Sequence, residues 1–307
     1  MTLNVPLGNI GYGNQIFIVA AGMGFSKFGI TTRIISHVNN SDSVPGLLAN
    51  TITTMDKIGN GGGSRFRIVK FHQISILGCY KYCVAHYPKF EKITKLLFRY
   101  KKSDGYVADC QLVLKKKVSI LDGWFQDFRW LRFIRKDFVQ ANRNLNKSTQ
   151  FLELESKLKN PTLGIHVRRG DFLQHLDYFG VLSFKYYEEA LKSLELDRFR
   201  QVFIFSDDPD WCRRQNWKGL PVNFIGPEDL ISIQETHFLM GKCETLICSN
   251  STFSLTSAYL WEVPEVLVPE TMYIDSNIQE TLTNSYPQEW KLIRSKFEQP
   301  EKNKNFE

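Results

Sequence analysis

The chain is short of the features that would place it in a membrane, in a disulfide scaffold or on nucleic acid. No window reaches about 18 uninterrupted apolar residues, so no membrane span is expected. The N-terminus has no basic stretch followed by an apolar core, so no secretion signal is expected. Six cysteines (Cys79, Cys83, Cys110, Cys212, Cys243 and Cys248) include no CxxC pair, and no His/Cys grouping has zinc spacing. Free thiols in a reducing compartment are the expectation, and a metal centre is not. There is no arginine-rich tail and no ladder of aromatic and basic residues, which argues against a nucleic-acid partner. The dinucleotide pattern GxGxxG is also missing, because Gly11-Tyr12-Gly13 continues as Asn14-Gln15-Ile16.

What remains is a globular composition, 43% hydrophobic and 23% charged. At 307 residues there is room for two ordinary domains or one large α/β domain. A net charge of +7 suits an anionic ligand or an anionic membrane surface, and is also ordinary for a soluble protein.

The patterning alternates strand and helix. Leu3-Asn4-Val5 reads as a strand, 8–14 as a glycine-rich turn, 15–28 as a helix and 31–35 as a second strand. Residues 39–64 are rich in Asn, Ser, Thr and Gly and predict a loop. Residues 80–102 are basic and aromatic and predict a helix. Its part 89–102 is either a contact for anionic lipid or lipid-linked glycan, or a solvated face. A strand ends at Gly123-Trp124-Phe125-Gln126, and 128–143 predicts a helix. The polar stretch 144–161 reads as a hinge between halves, dividing the chain into 1–155 and 156–307. Beyond it come strands at 163–167, 201–205, 222–225, 245–248 and finally 265–268, with helices at 183–194, 230–242 and 252–261 between them. Each strand runs into a polar turn, where open parallel sheets hold ligands.

Four places carry chemistry. In Gly164-Ile165-His166-Val167-Arg168-Arg169-Gly170-Asp171-Phe172, two guanidinium groups stand where an apolar strand runs out. Arginine keeps its charge and presents a planar fork of donors, which suits a diphosphate; a salt bridge to Asp171 is the other reading. Ser249-Asn250-Ser251-Thr252-Phe253-Ser254 opens a helix with a cluster of hydroxyls and an amide, either an anion cradle or a simple N-cap. Gly13-Asn14-Gln15 is either a tight turn or a close backbone approach whose amides meet sugar hydroxyls. Ser206-Asp207-Asp208-Pro209-Asp210 is either a metal-binding DxD or a helix cap with proline at the first helical position. Anion sites at two strand ends in the C-terminal half, with a glycine turn in the N-terminal half, form the layout of a nucleotide-sugar transferase.

In this order the motifs resemble the inverting α-1,2-fucosyltransferases, glycosyltransferase family 11, over nearly the whole chain. Gly11-Tyr12-Gly13-Asn14-Gln15-Ile16-Phe17 is similar to the family's GGLGNQ turn, Gly123-Trp124-Phe125-Gln126 to G-Y-F-Q, and His166–Phe172 to H-x-R-R-G-D-Y. Leu182-Ser183 with Tyr186-Tyr187, Phe205-Ser206-Asp207-Asp208, and Leu239-Met240, Cys243 and Asn250–Ser254 follow the family's later motifs. The resemblance implies a GT-B-like α/β fold, with two Rossmann-like domains facing a cleft, the first on the acceptor side and the second binding the GDP-sugar. It implies GDP-fucose as donor, a galactose-terminated oligosaccharide or glycolipid as acceptor, transfer to the 2-hydroxyl with inversion, and no cofactor or metal. Arg168 then holds the β-phosphate, His166 seats the nucleotide, and Ser251 and Thr252 bind phosphate. Gly13, Asn14, Gln15, Ser206, Asp207, Glu235, Asn250 and Phe253 complete the expected donor site, and the 208–210 DxD reverts to a turn. The chain departs from the family at Ile10, at Leu255-Thr256 in place of tryptophans, at Phe179, and at Thr236 in place of an aspartate, for which Glu235 stands in.

Strand phase puts Arg168 with His166 and sends Arg169 the other way, to brace the turn through Asp171 or another carboxylate. Asp171, Asp177 and Glu235 are the candidate general bases, with Asp171 grouped with Arg168 and His166 as catalytic. Three rival readings stand beside this one: a metal-dependent enzyme using Asp208 and Asp210, a nucleotide- or glycan-binding protein without turnover, and a protein O-fucosyltransferase. The expected location is the cytoplasm, with peripheral contact at the cytoplasmic membrane, or the Golgi lumen if the chain is a trimmed eukaryotic enzyme.

Overall fold

The computed structural model describes residues 2–7, 10–36, 66–70, 84–85, 88–143, 146–158, 161–274 and 282–298. The expected loop over 39–64, Cys79 and Cys83, and the start of the 80–102 helix lie outside them. The chain divides into two compact units, Met1–Leu145 and Asn146–Glu307.

The first unit is a five-stranded sheet of order β3-β2-β1-β5-β4. The strands are β1 (Thr2–Leu7), β2 (Thr31–Ser36), β3 (Phe66–Lys70), β4 (Tyr100–Lys102) and β5 (Ile120–Asp122), and every pairing is parallel. Helix α1 (Tyr12–Lys27) follows β1 and is apolar on nearly every face, so it is buried from Ile16 to Ala21. Phe17 meets Phe128 edge-on at 5.6 Å, and Phe25 meets Trp130 at 4.7 Å. Those partners lie on the short helix α4 (Phe128–Leu131), after α2 (Glu91–Leu97) and α3 (Tyr106–Leu114), and α5 (Arg135–Arg143) ends the unit's described helices.

The second unit is a six-stranded parallel sheet of order β11-β10-β9-β6-β7-β8. Its strands are β6 (Thr162–Val167), β7 (Gln201–Ser206), β8 (Val222–Ile225), β9 (Thr245–Ile247), β10 (Glu265–Pro269) and β11 (Lys291–Ile293). All six residues of β6 are buried, as a central parallel strand requires. The helices are α6 (Thr149–Lys157), α7 (Phe184–Lys192), α8 (Pro209–Arg213), α9 (Ile233–Met240) and α10 (Thr252–Leu260). Both units are Rossmann-like α/β, the expected fold class. In each sheet the chain leaves a central strand in one direction and later returns to its other side, between β1 and β5 and between β6 and β9. Such reversals open a crevice at the carboxyl ends of the strands.

Several local expectations are corrected. The polar stretch 144–161 contains α6, capped by Ser148 Oγ, which accepts from Phe151 N at 3.1 Å. Phe151 stacks on Phe238 of α9 at 5.6 Å, so this helix belongs to the second unit. Residues 100–102 are a strand rather than the end of a helix, 128–143 is two helices, and β11 follows the strand expected to be last.

Candidate functional site

The first described anchor is the end of β6. His166 is only 6% exposed, its Nδ1 is buried without a hydrogen-bond partner, and its ring lies 5.7 Å from that of Phe253. Burial, and then the charge of Arg168, push its pKa down to about 3, so the ring is neutral. Arg168 follows, with its side chain 32% exposed and gripped from two sides: Nη2 lies 2.5 Å from Asp171 Oδ1 and Nη1 lies 2.7 Å from Asp207 Oδ2. The guanidinium is therefore oriented while still reachable.

Arg169 has the opposite environment. Its side chain is 8% exposed, lies over the Trp211 ring at 4.2 Å, and pairs with Asp208 at 3.0 Å and with Glu298. Its backbone N–H donates to Asp207 Oδ1 at 2.9 Å. Arg169 is thus the brace, as strand phase indicates, but its carboxylates are Asp208 and Glu298; Asp171 belongs to Arg168. Gly170 makes room for this arrangement, because a Cβ there would stand 2.5 Å from Asp207 Oδ2.

The Ser206–Asp210 turn ends β7. Ser206 Oγ accepts from Asp208 N at 2.9 Å, and Asp208 Oδ1 caps α8 by accepting from Trp211 N at 3.0 Å. Asp210 turns to solvent and pairs with Arg213 at 2.8 Å. The DxD look is therefore a helix cap. Among the described residues no three His, Cys, Asp or Glu side chains are placed to share a metal ion.

The second anchor is the segment leaving β9, which pairs with β6 up to Ile165↔Ile247. Ser251 Oγ caps α10 by accepting from Phe253 N at 3.3 Å, and Thr252 and Phe253 form the first turn. The start of a helix directs N–H groups and positive potential outward, toward an anion. Asn250 is fully buried, and its Nδ2 donates to the carbonyls of Gly180 and Met272, both at 3.0 Å, and of Phe179 at 3.3 Å. It ties three segments together. Glu235 has both carboxylate oxygens engaged. Its Oε1 accepts from Ser148 N at 2.6 Å and its Oε2 from Ser232 N at 2.8 Å. Burial raises its pKa, but those donors outweigh burial and hold the carboxyl below its usual value. Thr236 Oγ1 donates to the Ser232 carbonyl at 3.0 Å.

Thr256 of α10 and Trp261 at its end meet two residues without a counterpart in the sequence reading, His237 and Gly241. A Cβ at Gly241 would overlap the Trp261 indole. In the first unit, Gly13, Asn14 and Gln15 open α1, and Gln126 Nε2 donates to Asn14 Oδ1 at 2.7 Å. The expected residues thus fall into two groups, one in each unit. Cys110, Cys212, Cys243 and Cys248 are free thiols, with burial pushing Cys212 up to about 11 and Cys243 to about 12, so both stay protonated. No helix among the described residues is long and apolar enough to cross a membrane.

The chain is 28% identical over 193 residues to the O-antigen biosynthesis glycosyltransferase WbnK of Escherichia coli, covering 59% of this chain and 64% of that protein. It is 26% identical over 186 residues to an Escherichia coli α-1,2-colitosyltransferase, covering 56% and 61%. It is 32% identical over 103 residues to the Bos taurus galactoside 2-α-L-fucosyltransferase SEC1, covering 32% and 28%. The chain therefore spans less than two thirds of the length of each curated relative. The family model for Glycosyl transferase family 11 matches residues 96–294, a span that takes in Arg168, the capped start of α10 and every strand of the second sheet. With its motifs in family order and its anion-directed groups gathered at one reversal of that sheet, the chain belongs to glycosyl transferase family 11.

Proposed function

We propose that this protein transfers L-fucose from GDP-fucose to the 2-hydroxyl of a terminal galactoside, with inversion and without a metal ion. The observation that carries the proposal is that Arg168 follows β6 and the α10 start follows its neighbour β9, with the His166 ring, its Nδ1 unpartnered, 5.7 Å from that of Phe253. Loss of GDP builds negative charge on the diphosphate while the sugar ring becomes cationic. A reachable guanidinium held by two carboxylates and a helix N-terminus are fixed charges of the needed sign, in place before the reaction begins. His166 stays neutral and offers Nδ1 to the nucleotide. Asp171 is the base assigned to the acceptor hydroxyl, since Glu235 has both oxygens engaged and, of the exposed Asp171 and Asp177, it is Asp171 that pairs with Arg168.

The matches to a fucosyltransferase and to a colitosyltransferase name two donor sugars. Purified protein offered GDP-fucose or GDP-colitose with methyl β-D-galactopyranoside, assayed for GDP release and for product linkage, tests the reading. Release from GDP-fucose with a 1,2-linked product, undiminished by chelator, is expected. Release from GDP-colitose alone would overturn the donor assignment, and loss of activity in chelator would overturn the metal-free mechanism. GDP binding with no release from either donor would favour a binding protein.

A further inference from the structure

The first unit has its own crevice, at the β1/β5 reversal. The segments leaving those strands are Ile10–Gln15 and Gly123–Asp127, and the 2.7 Å hydrogen bond from Gln126 Nε2 to Asn14 Oδ1 joins them. Behind Asn14, Gln15 Nε2 donates to the Ile10 carbonyl at 2.6 Å, while its Oε1 is buried and accepts nothing. Between the strand end and Gln126 stand two aromatic residues with opposite fates. Phe125 has left-handed backbone (φ 50°), unusual for a bulky residue, and is 4% exposed, its ring edge-on to Phe25 and Trp130 at 6.4 Å each. Trp124 is turned outward and is 52% exposed, whereas Trp130 and Trp217 are 0% and 6% exposed. A strained backbone that buries one ring and leaves the larger in water is the pattern of a binding surface.

We propose that Trp124 is the platform on which the terminal pyranose of the acceptor glycan stacks, with the Asn14–Gln126 amide pair reading its hydroxyls, which moves Asn14 from the donor site that the family resemblance implies to the acceptor. This inference rests on the glycosyltransferase reading and names the acceptor subsite within it. The chemistry selects the ligand class. The axial 4-hydroxyl of galactopyranose leaves H3, H4 and H5 on one face, an apolar patch that fits against an indole. The edges of the ring carry hydroxyls, which amides serve as donor and acceptor. Just beyond this turn, Arg129 is ion-paired with Asp127 at 2.6 Å.

Saturation-transfer NMR with methyl β-D-galactopyranoside reads this contact without turnover. Wild-type protein is expected to transfer magnetisation mainly to H3, H4 and H5. Trp124→Ala should abolish that transfer and raise the acceptor KM at least tenfold, Trp124→Phe should retain most of both, and the Kd for GDP should stay within twofold. Because Trp124 is exposed, the alanine variant is expected to fold, and unchanged GDP binding verifies it. Undiminished transfer in Trp124→Ala overturns the platform, as does an equal loss of galactoside and GDP binding, which would mark a structural role. Transfer that depends on Trp124, with no GDP release from GDP-fucose, would overturn the proposed reaction and leave the glycan site standing.

Discussion

Trp261 Nε1, at the end of helix α10, donates a hydrogen bond to Nδ1 of the buried His237 at 3.3 Å. An indole N–H only donates, so Nδ1 is the acceptor and the proton of His237 sits on Nε2. That proton points to Thr256 Oγ1 at 3.2 Å, and the Thr256 hydroxyl donates to the Thr252 carbonyl at 2.7 Å. A fixed tautomer thus supports the first turn of α10 from behind. It does so where the family's usual tryptophans are replaced by Leu255-Thr256, with Trp261 seated over Gly241.

Burial pushes His237 down to about 3 from its ordinary 6.5. Between those values the unfolded chain binds a proton that the folded chain refuses, so this contribution to stability is complete above pH 6.5 and is lost as pH falls toward 3. The slope is about 1.4 kcal/mol per pH unit for each such histidine, and His166 adds a second. His237→Gln should therefore narrow its stability gap to wild type by about that amount per unit from pH 6 to pH 4. Urea unfolding at several pH values measures it, and parallel curves would refute the buried neutral state.

Arg168 and Arg169 are adjacent in sequence and should fail differently. Arg168→Lys keeps the charge but loses the fork, and should lower kcat by roughly a hundredfold or more, about 2.7–4 kcal/mol of barrier, with the unfolding midpoint little changed. Arg169→Ala strands Asp208 and Glu298. Removing one partner of a buried pair costs about 3–5 kcal/mol, which the 28% exposure of both carboxylates reduces to about 2–3. Steady-state kinetics beside denaturant melts separates the two, and near-wild-type turnover by Arg168→Lys would sink its assignment.

Asn250 and Glu235 carry family-like positions but interior contacts. Asn250→Ala should cost about 1–3 kcal/mol, because the carbonyls of Gly180 and Met272 lose their donor. Glu235→Ala should cost about 0.5–2 kcal/mol as a lost cap. In both, the GDP Kd of the protein that remains folded should match wild type in calorimetry. A tenfold weaker Kd at unchanged stability would return either residue to the ligand.

The central strands and the separation of the two arginines were readable because a buried parallel strand shows as an apolar run, and its two-residue period sorts its side chains. The partners of Arg169 were not, since Glu298 lies 129 residues away with no local pattern to mark it. The hydroxyl-rich start of α10 fits a cap and an anion site equally, and only packing shows that Asn250 faces inward. Helix α6 was hidden by its polarity: Phe151 is its single buried residue, and its place depends on Phe238 across the unit. Strands β4 and β11 are largely exposed, so they show no apolar run, unlike the equally short but buried β5 and β9.

The last prediction concerns Asp171, whose carboxylate is 60% exposed while touching Arg168. If it only held the guanidinium, its loss would be covered by Asp207 at 2.7 Å on the other nitrogen. If it takes the proton of the acceptor hydroxyl, no neighbour replaces it: Glu235 is bound to Ser148 and Ser232. Asp171→Asn should then lower kcat by about 10²-fold or more. GDP should bind as well as before or better, because a negative charge beside the diphosphate is gone. Asp177→Asn, six residues further along the chain, is the control and should keep kcat. Full turnover by Asp171→Asn would leave it a positioning residue, and weaker GDP binding would show that Asp207 alone does not hold Arg168 in place.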